Sequence, residues 1–115
     1  MAWMKCRRGE IWWVDLEPIK GKEAKKIRVC LIIQNDIGNE ESDLTTVIPF
    51  LSPKNYPFVV NVKPSEQNKL DKERGLHFNQ IRSVDLSRLK SKLGTLETGY
   101  FELIKRALDI QFGFF

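Results

Sequence analysis

Between Gly9 and Leu96 the apolar residues come in short runs, broken every few positions by Gly, Pro, Asn, Asp or charge. Beyond Thr98 they recur at three- and four-residue spacing. The first pattern predicts strands and the second a helix. Gly9 to Leu16 (GEIWWVDL) is β-branched and aromatic, and Glu17-Pro18 closes it. Ile27 to Gln34 is apolar on both sides, which predicts a central, covered strand rather than an edge. Asn35 to Asp43, with Gly38-Asn39 and a run of acids, predicts a loop.

Leu44 to Leu51 and Tyr56 to Val62 are the next two strands, separated by Pro53. Lys63 to Arg74 (KPSEQNKLDKER) is polar and opens on proline, so it is expected to be a mobile excursion or a short polar helix that tolerates change. Leu76 to Val84 and Arg88 to Leu96 complete six strands, with Gly94 a bulge or twist point. Phe101, Ile104, Leu108, Phe112 and Phe115 then mark one face of a terminal helix capped by Thr98. Short strands with non-local pairing followed by one helix indicate a mainly β protein, a small, strongly bent β-barrel with a C-terminal α-helix.

Composition narrows the class. At 115 residues and 42% hydrophobic content, residues 1–115 form one domain with enough core to need no metal or disulfide staple. Cys6 and Cys30 form no close-spaced pair and read as reduced cytosolic thiols, with Cys30 inert packing in an apolar strand. No signal peptide or apolar stretch long enough for a membrane span is seen, so a soluble, cytoplasmic protein is expected.

Charge is concentrated. Lys20, Lys22, Lys25, Lys26 and Arg28 against Glu23 give +4, equal to the formal net charge of the whole chain. The remainder balances to zero, so the basicity is local. A lysine loop feeding a rigid strand supplies field and donors for a phosphate-bearing ligand, and a pI near 9.2 favours nucleic acid. The same lysines also suit a merely solvated loop.

Several chemistries are excluded. A single histidine, His77, supplies no two-histidine acid–base pair and reads as a strand residue between Leu76 and Phe78. Clustered metal ligands, a P-loop and a G-x-G-x-x-G are absent from the sequence, so no cofactor is expected. Arginines, lysines, hydroxyls, amides and aromatics remain, a set suited to RNA. RNA carries its own nucleophile, the 2′-hydroxyl, and a protein need only align it and stabilise phosphoryl charge. Arg28 is the candidate clamp because a guanidinium matches two phosphate oxygens; its other reading is a salt bridge to Glu23. Trp3, Trp12 and Trp13 are candidate stacking platforms, but alternation sends Trp12 and Trp13 to opposite faces, so one of them packs in the core.

Three strings, RGEIWWVDLEP (Arg8 to Pro18), GKEAKKIRVCLIIQNDIGN (Gly21 to Asn39) and NQIRSVDLSRLKSKLGTL (Asn79 to Leu96), resemble the MazF/PemK toxin family over nearly the whole chain. The resemblance implies an SH3-like barrel, a homodimer, and metal-independent cleavage of single-stranded RNA, as in mRNA, at short sequences. It also implies a cognate antitoxin whose acidic tail occupies the same cations. Arg28 falls on the family's catalytic arginine. Ser52 falls where a threonine is usual; it keeps the hydroxyl, and the resemblance implies that it stabilises the phosphorane with Arg28, while Val29 replaces a proline.

Lys20 and Glu23 fall on loop positions near the family's active site, and Gln80 and Arg82 on its RNA-facing QIR segment. With Lys22, Lys25 and Lys26 these form the expected RNA contacts, and Glu23 is an alternative general base to the arginine. The competing expectations are a gyrase poison of the CcdB type and a non-catalytic RNA-binding barrel. Arg28 with the IIQND run favours cleavage.

Overall fold

The computed structural model describes residues 5–17, 20–23 and 26–115. Seven strands form one antiparallel sheet: β1 (Glu10–Asp15), β2 (Ile27–Ile32), β3 (Leu44–Leu51), β4 (Val59–Val62), β5 (Arg74–His77), β6 (Arg82–Asp85) and β7 (Leu89–Thr95). The strand path is β4-β5-β3-β2-β1-β7, with β6 also paired to β3. The β-dominated class with a C-terminal helix is as expected. The path runs from β4 to β7 without closing among the described residues, so the barrel is an open, folded sheet.

β3 organises the fold because its two halves have different partners. Leu44 to Val47 pair with β6, while Phe50 and Leu51 pair with β5. Pro49, which has no N–H to give, falls at the changeover, where neither β5 nor β6 pairs with it. The single strand expected over Leu76 to Val84 is therefore two. A 3₁₀ turn at Phe78–Gln80 buries Phe78 and carries the chain from the β5 half of β3 to the β6 half.

β2 is central, as its apolar run predicts, lying between β1 and β3 with Cys30 opposite both Trp12 and Pro49. Alternation along the sheet divides the core in two. Ile11, Leu31, Ile48 and Phe50 face one side, where Leu96 and Ile104 join them. Trp12, Val14, Cys30, Ile32 and Val47 face the other. Trp12 is buried and its Nε1 donates to Glu10 Oε1, whereas Trp13 remains 39% exposed on the opposite face. Gly94 does sit at a bulge, since the β1–β7 register shifts between Ile11 and Trp12.

Three expectations are corrected. The stretch after Gln34 is a helix, α1 (Asp36–Glu41), capped by Asn35, whose side chain accepts the Gly38 N–H at 2.8 Å. Six residues are too few for periodicity to register. Its anchor is the buried Asn39, bonded to Thr45 Oγ1 at 2.7 Å and to Gln34 through both amide atoms.

The segment Lys63 to Arg74 is pinned, not permissive. Asn68 is fully buried and holds Lys63, Ser65, Leu70 and Glu97, and Leu70 enters the core.

Thr98 does not cap the terminal helix. A 3₁₀ turn, Thr98–Tyr100, precedes α2 (Phe101–Phe112), and Tyr100 at its start makes no side-chain capping bond. α2 buries Ile104 and Ala107, whereas Phe112, its last residue, and Phe115, beyond the Gly113 (φ +75°) that ends the helix, are exposed. Phe114 N–H returns to Asp109 O at 2.7 Å and Gly113 N–H to Ile110 O at 3.2 Å, the double closure that a left-handed glycine permits.

Candidate active site

The basic loop ends where β2 starts, so Arg28 is the second residue of the most enclosed strand in the sheet. Pairing with Val14 fixes its backbone. Strand alternation places it on the face of Cys30 and Ile32, beside the second core cluster. Its Nε is buried and has no hydrogen-bond partner. Among the described residues no carboxylate lies within ion-pair distance of it. A salt bridge to Glu23 is therefore not formed. Glu23 instead closes its own loop: its Oε1 accepts the Lys20 N–H at 2.6 Å, and its N–H donates to Lys20 O at 3.0 Å. A buried donor left unpaired costs about 1–3 kcal/mol, a cost tolerated where a ligand supplies the acceptor.

Arg82 reaches the same region from β6, where it pairs with Val47. Its Nη1 donates to the Leu16 carbonyl at 2.8 Å, tying β6 to the exit of β1. Burial pushes the Cys30 thiol up to about 12, with the charges of Arg28 and Arg82 pulling the other way. Two guanidinium charges thus act on one point of the sheet, and the thiol between them is inert packing, as its sequence context indicates.

Glu23, Gln80 and Arg82 border one cavity of about 190 Å³, with Leu16, Pro49 and Asn79 completing its wall. Gln80 belongs to the 3₁₀ turn and Arg82 to β6, so a turn brings them together and not the shared strand pleat that their spacing suggests. Asn79 and Pro49 escape notice as cavity residues in the sequence. Asn79 adjoins the QIR string, and nothing local distinguishes Pro49.

The lysines divide. Lys20 and Lys22 are exposed, without an ion pair among the described residues. Lys26 is tied to Glu17 at 3.2 Å, both half-exposed, a pair worth little in stability. Lys25 and Trp3 lie outside the described residues.

Among the described residues no hydrogen bond joins the Ser52 hydroxyl to Arg28. The β2–β3 pairing ends at Cys30↔Pro49, short of both residues, and Leu51 packs on the second core cluster. Ser52 stands exposed beyond the end of β3, its carbonyl 2.7 Å from His77 Nε2. His77 is thus the structural strand residue its flanks predict. A second cavity, of about 380 Å³, opens under Trp13, and Arg28 lines it with Ile27 and Val29.

Known proteins resemble this chain over most of its length. The chain is 36% identical over 110 residues to "Endoribonuclease MazF" of Staphylococcus saprophyticus, covering 93% of this chain and 91% of that protein. It is equally 36% identical to the protein of the same name from Staphylococcus epidermidis. The crystal structure of MazF from Deinococcus radiodurans superposes with a TM-score of 0.78 at 24% identity, over 94% of this chain and 96% of that one. An endoribonuclease from a mycobacterial species, solved in complex with its cognate antitoxin, gives 0.76 at 19% identity, over 94% and 95%. The profile of the PemK-like, MazF-like toxins of type II toxin–antitoxin systems matches residues 7–112, and the chain belongs to that family.

Proposed function

We propose that this protein is a sequence-specific endoribonuclease, the toxin of a toxin–antitoxin pair, cutting single-stranded mRNA. The observation that supports it most is the guanidinium of Arg28, held on a central strand with a buried Nε that has no acceptor and no neighbouring carboxylate. A phosphate oxygen is the acceptor that such a donor lacks. In this reading the RNA 2′-oxygen attacks the adjacent phosphorus, and the P–O5′ bond breaks. The 5′-oxygen leaves with the bonding electrons and takes a proton from solvent water, so the products are a 2′,3′-cyclic phosphate and a 5′-hydroxyl end. Arg28 stabilises the charge on the phosphoryl oxygens in the transition state. Because the nucleophile belongs to the substrate, no activated water is needed.

A guanidinium does not give up its proton in proteins, so another group takes the proton of the 2′-hydroxyl. Glu23 is that group in our scheme, since its carboxylate lines the cavity that Arg82 and Gln80 border. Arg82, Gln80, Lys20 and Lys22 bind the strand around the cut, with Lys25 and Lys26 adding charge along the loop. Ser52, for which the family resemblance implies a hydroxyl role, has no step in this scheme, since its contact with His77 is through its carbonyl.

A homodimer aligning two copies of the Lys20 loop makes one extended cationic groove, and an acidic antitoxin segment occupying it blocks RNA. Among the described residues no helix is long and apolar enough to cross a membrane, and we place the activity in the cytoplasm, where mRNA is found.

The test is incubation of the protein with a long unstructured RNA in excess EDTA, beside Arg28→Ala, with every new end mapped. Discrete cuts with 5′-hydroxyl ends from the parent alone are expected. Intact RNA with a folded parent, or equal cutting by Arg28→Ala, overturns the reading. Glu23→Gln with near-normal cleavage removes Glu23 as the base.

A further inference from the structure

We propose that the cavity under Trp13 receives one unpaired nucleobase of the RNA, immediately beside the bond that Arg28 clamps. This rests on the ribonuclease reading above and adds a base-selecting site that Arg28 itself borders.

Position carries the first part of the argument. Ile27 and Val29 flank Arg28 in β2 and line the cavity, which therefore opens at the same strand position that bears the guanidinium. Arg28 lines it as well, so an RNA strand crossing the end of β2 meets the clamping arginine at the wall of this cavity.

The lining carries the second part. Trp13 is an indole 39% exposed on a strand whose neighbours Ile11, Trp12 and Val14 are buried. Phe50, Leu70 and Leu93 supply apolar walls, and the volume of about 380 Å³ is that of a small-ligand site. An aromatic face in a cationic region is the platform on which unpaired bases stack. Stacking alone accepts any base, but one edge of this cavity is polar. Arg74 gives Nε and Nη2 to the two carboxylate oxygens of Asp71, at 3.1 and 2.8 Å. That fork uses two of the five guanidinium N–H donors and leaves Asp71 with acceptor positions to spare. The edge offered to a base therefore both donates and accepts hydrogen bonds, and reads a base by the pattern of donors and acceptors along its edge. Lys69, at the same mouth, is placed to meet the adjoining phosphate.

Cut sites on a long RNA, and kcat/KM on a short RNA carrying the preferred site, are measured for the parent, Trp13→Ala, Trp13→Phe and Asp71→Asn. Trp13→Ala is expected to lower kcat/KM about tenfold or more and to lose base preference at one position of the recognised sequence. Trp13→Phe keeps both, and Asp71→Asn changes the base preferred at that same position. A folded Trp13→Ala with parental rate and preference overturns the inference, as does a uniform loss of rate with the recognised sequence unchanged. If Trp13→Ala does not fold, Asp71→Asn decides, because its side chain lies on an exposed loop. Cleavage by the parent with unchanged variants overturns the cavity alone; a parent that cuts nothing overturns the ribonuclease reading and this inference together.

Discussion

His77 Nε2 lies 2.7 Å from the Ser52 carbonyl, so the lone histidine anchors the backbone just beyond the end of β3. The contact uses the Ser52 main chain and not its hydroxyl. Ser52→Ala is therefore expected to cleave RNA within about threefold of the parent, whereas loss of a transition-state hydrogen bond costs roughly a hundredfold or more. Single-turnover cleavage separates these outcomes, and a hundredfold loss would return the hydroxyl to the mechanism.

Asn39 is the hinge pin of α1. Its buried amide joins Thr45 of β3 to Gln34, which leaves β2 toward the helix. Asn39→Ala strands the Thr45 hydroxyl and the Gln34 groups, so about 2–3 kcal/mol of stability should be lost. Urea unfolding would show it as a lower midpoint at unchanged slope. A midpoint within error of the parent would mean that water replaces the amide without cost.

Gly94 faces the pinned loop. A Cβ there would stand 2.6 Å from Gln67 O and 2.7 Å from Asn68 O, both backbone atoms of the segment that Asn68 fixes. Neither can move without breaking the Asn68 network, so Gly94→Ala is expected to destabilise by roughly 1–3 kcal/mol, the range for overpacking. Calorimetry should register a lower Tm. An unchanged Tm would show that the loop yields freely, as its polar sequence suggests.

Acid stability follows from depressed carboxyls. The Arg74 hydrogen bonds hold the Asp71 carboxyl below its ordinary 3.8, and the Arg8 N–H does the same for Asp36. A group whose folded value is lowered adds stability above its unfolded value, and that stability is lost as pH falls through the folded one. Stability should therefore decline as pH drops below about 3.8, and Asp71→Asn should make that decline shallower. The effect is small because the carboxyl is solvent-screened. Denaturation midpoints at pH 5 and pH 3 for both proteins provide the comparison, and identical declines would dismiss the Arg74 contribution.

The sequence by itself determined the strand-rich class, the central place of Ile27 to Gln34, the opposite faces of Trp12 and Trp13, the terminal helix and the inertness of Cys30. These follow from alternation, apolar runs and burial preference, which act over a few residues and are written locally. The cationic loop and Arg28 were also legible, because charge density is a count along the chain.

Tertiary structure decided the rest. It divided β3 between two partners, turned Leu76 to Val84 into two strands, and built a six-residue helix whose stability lies in Asn39's distant partners. It fixed the polar loop through the buried Asn68, left Arg28 without the salt bridge that Glu23 could have given, and tied the Ser52 carbonyl to His77. Each of these depends on which side chain or strand edge arrives from far along the chain, and a register shifted by a single residue reverses which groups meet.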